Sequence, residues 1–141
     1  MSTLAVGMVL GSIAIGMRPP HSHRGILVFL LTTLEGVIFA SIGLVPIFVV
    51  SCTLAFLMGL ANGIVNTILG AMMQELIADE YRGRVFSLTS MIAMGMTPIS
   101  LAIAGGLTDT IGASIVFIVG GAICMMASLF GLTFREIREL Q

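Results

Sequence analysis

The sequence predicts an all-α membrane protein of five transmembrane helices, and three observations carry that expectation. The first is composition: the 141 residues are 57% hydrophobic and only 9% charged, with a mean hydropathy of +1.14. A water-soluble domain of this size carries roughly 25% charged residues to cover its surface, and one so poor in charge would expose large apolar patches. The second is that the charges fall in clusters and leave five long apolar stretches between them. The third is that these stretches do not alternate polar with apolar residues, as the strands of a membrane barrel must. Backbone groups in lipid have to be bonded within their own segment, so each stretch is expected to be helical.

The five helices are expected at about 2–17, 25–44, 47–77, 85–108 and 113–134 of one transmembrane bundle spanning residues 1–141. About 20 residues cross a hydrocarbon core of about 30 Å. The first stretch is short by this measure and the third is long, so truncation is expected in one and tilt or a protruding end in the other. Pro98 lies inside the fourth and is expected to kink it, since the carbonyl at Met94 loses its partner.

Arginine placement gives an orientation. There is no lysine, and the six basic residues are Arg18, Arg24, Arg82, Arg84, Arg135 and Arg138. They follow the first, third and fifth stretches, and the connections around 44–46 and 109–112 contain none. If all five stretches span, every arginine lies on one side, an arrangement that random placement would give roughly one time in thirty. Basic residues in short loops stay in the cytoplasm. The expected protein is therefore multi-pass in a cell membrane, the bacterial inner membrane, with a cytoplasmic C-terminus and an N-terminus facing out. A first helix entering from outside with no basic residue before it is what a C-terminal fragment would show. A complete small protein oriented by Arg18 and Arg24 is the alternative.

Several classes of function are disfavoured by composition. The net charge of -1 offers no basic stripe for nucleic acid. No spacing of Cys52, Cys124, His21 and His23 resembles a metal site, and no glycine loop before a helix would cradle a phosphate. No Ser/His/Asp or Cys/His pairing at plausible depth points to an enzyme. No cofactor is expected.

Glu35 is the clearest anomaly. It lies about ten residues from the arginine-bearing end of its helix, near the bilayer midplane, and no other stretch has an acid in its interior. A charge there costs at least about 2.5–3.5 kcal/mol on insertion scales, so it is paired, protonated or functional. It either couples proton movement or donates a structural hydrogen bond from beside the small-residue stripe Thr32, Gly36, Ala40 and Gly43. Asn62 and Asn66 are four apart and share a helix face with Gly59, Gly63 and Gly70. That face either lines a polar pathway or acts as helix glue. Asp79, Glu80, Arg82, Gly83 and Arg84 form a charged cytoplasmic loop, which reads as a gate latch or as a topology anchor.

The stretch Ala78-Asp79-Glu80-Tyr81-Arg82-Gly83-Arg84-Val85-Phe86-Ser87-Leu88 resembles the loop between helices ten and eleven in the major facilitator superfamily. The likeness is to its enterobactin- and macrolide-exporter-like branch. Gly59-Leu60-Ala61-Asn62-Gly63-Ile64-Val65-Asn66 is similar to that branch's helix ten, and Gly7-Met8-Val9-Leu10-Gly11-Ser12 to helix eight. Thr97-Pro98 and Ala104-Gly105-Gly106-Leu107-Thr108-Asp109 resemble helix eleven and its outer turn. Ala78 stands where the branch commonly has proline, which predicts a less sharply ended third helix.

The resemblance implies helices eight to twelve of twelve, part of a major-facilitator-type C-terminal bundle. It also implies a substrate path lying between two halves, with the helix bearing Glu35 at the bundle periphery. The expected function is the C-terminal part of a proton-coupled exporter of small amphipathic compounds, working by alternating access and inactive as this chain alone. Its expected partners are the lipid bilayer, its substrate, and either the missing N-terminal half or a second copy. The rival expectation is a non-transporting membrane protein, a gene remnant or a helix-packing partner of another membrane protein.

Overall fold

The computed structural model describes residues 2–17, 24–45 and 47–132, and within them the chain is helical apart from short turns. Five helices follow in order: α1 (Ser2–Met17), α2 (Arg24–Leu44), α3 (Phe48–Leu76), α4 (Asp79–Ile111) and α5 (Ala113–Leu132). α2 to α5 are long and apolar enough to cross a membrane, whereas α1, with 16 residues, is shorter than a full span. Arg18, His21, His23, Arg135 and Arg138 lie outside the described residues.

The chief departure from the expected boundaries is α4. It was expected at 85–108 and runs over 33 residues, from Asp79 to Ile111. The charges at its start do not break it, because Asp79 and Glu80 occupy its first turn, where acidic side chains complement the exposed amides. Asp79, Glu80, Arg82, Gly83 and Arg84 therefore belong to a helix and not to a loop. α4 continues through Pro98 and closes at Gly112, whose φ of +85° favours a residue without Cβ. The end of α3 is also sharper than Ala78 predicted: Ile77 and Ala78 are both extended, and helix resumes at Asp79.

Packing does not follow chain order. α1 lies on α3, α2 lies on α5, and α2 also meets α3, which joins the two pairs. The α1–α3 contact is made backbone to backbone. A Cβ on Gly7 would strike Phe56, one on Gly11 Leu60, one on Gly59 Leu4 and one on Gly63 Met8, in each case at the carbonyl oxygen. Two glycine pairs at four-residue spacing thus interlock, the close approach that lets helices associate where lipid supplies no hydrophobic drive. The α2–α5 contact uses the expected small-residue stripe. A Cβ on Gly36 would lie 2.9 Å from the Gly121 carbonyl, and one on Gly43 2.7 Å from that of Ser114. It adds hydrogen bonds: Ser128, 3% exposed, donates to the Phe29 carbonyl at 2.7 Å and accepts from Thr33 at 2.9 Å.

The small apolar core at Val28, Val65 and Ile68 lies between α2 and α3, with Ile15 of α1 against it. α4 stands apart, with its main contact on α5 and no buried residue of its own.

Candidate functional site

Glu35 and Asn62 come together across the α2–α3 contact. Asn66 donates from Nδ2 to the Asn62 side-chain oxygen at 2.8 Å and to the Asn62 carbonyl at 2.9 Å. A side-chain hydrogen bond joins Asn62 to the Glu35 carboxyl. Three polar side chains therefore form one chain from α2 to the open face of α3. The other carboxyl oxygen, Oε1 of Glu35, is buried and has no hydrogen-bond partner among the described residues. Other atoms of Glu35 line a cavity of about 210 Å³ together with Gly36, Phe39, Met58, Gly120 and Cys124.

The face expected to hold Asn62, Asn66 and three glycines is divided between neighbours. Gly59 and Gly63 meet the α1 backbone, Asn62 turns to Glu35, and Asn66 is exposed. The cause is divergence of the two helices. α1 touches α3 at Gly7 and Gly11, but a Cβ on Gly16 or on Gly70 would meet nothing within 4 Å. Asn66 and Gly70 are left where the pair has opened.

The charged cluster at the α3–α4 corner is also divided. Arg82 Nη2 lies 2.7 Å from Asp79 and donates to the Gln74 carbonyl at 2.6 Å. It thereby satisfies a carbonyl that the end of α3 leaves without a helical partner, which accounts for the abrupt turn in the absence of proline. Glu80, Gly83 and Arg84 are exposed and take no part in that cap. On its other side the end of α3 is held by a residue that sequence reasoning treated only as a topology marker. Arg24 Nη1 at the start of α2 donates to both carboxylate oxygens of Glu75, at 2.7 and 2.8 Å. Glu75 went unnoticed because its charge sits near a helix end, where charge is ordinary. The Thr33–Ser128 bond was likewise hidden, since hydroxyls are common in membrane helices and bond their own backbone.

Thiols mark two regions. Cys124 lines the cavity beside Glu35, whereas Cys52 lines a second, apolar cavity of about 410 Å³ near the start of α3. Among the described residues no group of three or more His, Cys, Asp or Glu side chains is placed to hold a metal ion.

The chain is similar in sequence to bacterial efflux proteins. The chain is 32% identical over 98% of its length to the macrolide efflux protein A of Streptococcus pyogenes. It is 34% identical over 70% of its length to the macrolide efflux protein A of Enterococcus faecalis. To the multidrug efflux pump Tap of Mycobacterium tuberculosis it is 26% identical over 93%. The matched region is 35%, 31% and 30% of those relatives, so the chain spans about a third of their length. No family model and no solved structure matches.

Proposed function

From the premise that this chain is a relative of bacterial efflux proteins, as its resemblance to the macrolide-exporter-like branch of the major facilitator superfamily implied, we propose that it forms one wall of a proton-coupled exporter of small amphipathic compounds. That it is a multi-pass bacterial membrane protein follows from its apolar helices and its relatives. Proton coupling, alternating access and the substrate class are our reading. The observation that carries it is the Glu35–Asn62–Asn66 chain. It runs from a buried carboxyl to an exposed amide at a depth where amides facing lipid are costly. In this reading Asn66 and the unburied helix α4 face the substrate path, opposite helices supplied by the rest of a longer transporter or by a second copy. The arginine-rich ends lie in the cytoplasm. There Arg82 caps α3, and the exposed Arg84 is the residue we assign to a gate contact. Pro98 is the point about which α4 bends.

The test is a chimera in which this chain replaces its matched region in the streptococcal macrolide efflux protein A. The chimera is expected to drive efflux that stops when the proton gradient is dissipated. Glu35→Gln is expected to abolish that efflux while folded yield is kept. A folded chimera that does not transport removes the efflux reading. Normal transport by Glu35→Gln, together with failed assembly of Glu35→Leu, would make Glu35 a structural residue.

A further inference from the structure

Helices α1 and α3 interlock at Gly7, Gly11, Gly59 and Gly63 and then part, so that a Cβ on Gly16 would meet nothing within 4 Å. The gap holds a cavity of about 340 Å³, with Arg24, the first residue of α2, on its third side. Ligand sites in proteins have volumes of about 300–1,000 Å³. Ile15, Gly16, Ile68 and Ala71 make its apolar wall, and Arg24 and Glu75 are the charged residues that line it. Thr67 lines it too, but its hydroxyl donates to the Gly63 carbonyl of its own helix at 2.8 Å. The charged pair is therefore the chief polar feature of this wedge.

We propose that the wedge binds a phospholipid whose headgroup carries a primary ammonium. The phosphate lies on Arg24, the ammonium on Glu75, and the upper part of an acyl chain between α1 and α3. The site is separate from the path assigned to Asn66 and α4, and it does not rest on the efflux reading.

Depth, charge and wall choose this occupant. Arg24 begins α2 and Glu75 stands next to the last residue of α3, both of them helices long and apolar enough to span. The pair thus lies at the edge of the hydrocarbon layer, where lipid headgroups are recognised between helices. One cation and one anion stand 2.7 Å apart, so a ligand carrying both signs finds a partner for each. The glutamate side chain is 61% exposed, which leaves its carboxylate surface for a second donor. A pair so open is weakly held and can share its charges with a third group. An anionic headgroup would satisfy Arg24 and bring nothing positive to Glu75. A choline headgroup has both charges, but its quaternary nitrogen has no N–H to donate. A primary ammonium gives the carboxylate a charge-assisted hydrogen bond. Below the pair the wall is apolar, which suits a hydrocarbon chain and not a water-soluble ligand.

Native mass spectrometry of the full chain, released from mild detergent after titration with palmitoyl-oleoyl lipids, measures retention. Phosphatidylethanolamine is expected to reach half-saturation at a concentration roughly tenfold below that of phosphatidylcholine or phosphatidylglycerol, the worth of one charge-assisted contact. Glu75→Gln is expected to bring phosphatidylethanolamine to the level of phosphatidylcholine, and Arg24→Gln to weaken both. Gly16→Leu, which fills the wedge and leaves the pair in place, is expected to lose retention while the chain stays folded. Glycerophosphoethanolamine, the same headgroup without acyl chains, is expected not to displace the lipid. Equal retention of the three lipids, displacement by the chainless headgroup, or undiminished retention in any of the folded variants overturns the proposal. The three-lipid comparison on the unaltered chain decides it even if a variant does not fold.

Discussion

Arg24 of α2 holds Glu75 of α3 through a single guanidinium nitrogen, 2.7 Å from one carboxylate oxygen and 2.8 Å from the other. With the Arg82 cap on the Gln74 carbonyl, this fixes the end of α3 from two sides. The pair is unequal in exposure, 18% for the arginine side chain and 61% for the glutamate. Its strength is therefore that of a half-solvated contact. Glu75→Gln is expected to lower stability in detergent by about 0.5–1 kcal/mol. A double-mutant cycle with Arg24→Gln should return a coupling of the same size, and a coupling of zero would show that the contact does not hold the helices.

The glycine pairs of α1 and α3 make a sharper prediction. Gly11→Leu or Gly63→Leu forces a side chain into the Leu60 or Met8 backbone and is expected to cost about 1–3 kcal/mol or prevent assembly. Gly16→Leu and Gly70→Leu, where a Cβ meets nothing within 4 Å, are expected to leave folded yield unchanged. Monodispersity after extraction measures both. Equal damage at all four positions would mean that the helices do not diverge as described.

At the α2–α5 contact, Ser128→Ala removes a hydroxyl that bonds the Phe29 carbonyl and Thr33. The expected loss is about 0.6–1.5 kcal/mol, the range for hydrogen bonds between membrane helices. Thr33→Val should cost less, because Ser128 keeps its bond to Phe29. Thermal unfolding of the two variants in detergent ranks them, and the opposite order would contradict the geometry.

Orientation is tested by fusion. A reporter that works only in the cytoplasm is expected to be active after Gln141 and inactive when inserted at 109–112. Activity of the second fusion would overturn the arginine reading and with it the placement of Arg82 and Arg84 at a cytoplasmic gate.

Transport by the chain alone is expected to be absent. In the proposed reading the exposed Asn66 and α4, which has no buried residue, form one wall of a path whose opposite wall comes from other helices. Reconstituted alone, the chain should give no saturable efflux of an amphipathic dye under an imposed pH gradient. Saturable efflux that collapses with the gradient would point to a second copy as the other wall.

The membrane class, the helix count and the singularity of Glu35 were legible in the sequence. Each is a local property: a run of apolar residues between arginines is helical in lipid whatever surrounds it, and a lone carboxyl in such a run is costly wherever it points. The efflux lineage was legible too, in the stretch from Ala78 to Leu88. The start of α4 was misplaced because charge marks the edge of a hydrocarbon layer and not the end of a helix, as Asp79 and Glu80 show. Pairing was a matter for tertiary structure. In water, burial separates the face of a helix that meets protein from the face that does not. In lipid both faces are apolar, so the pattern of Leu, Ile and Val carries no record of neighbours. Only the assembled bundle decides that Gly59 and Gly63 meet α1 while Asn62 meets Glu35, and that Arg24 finds Glu75 across 51 residues.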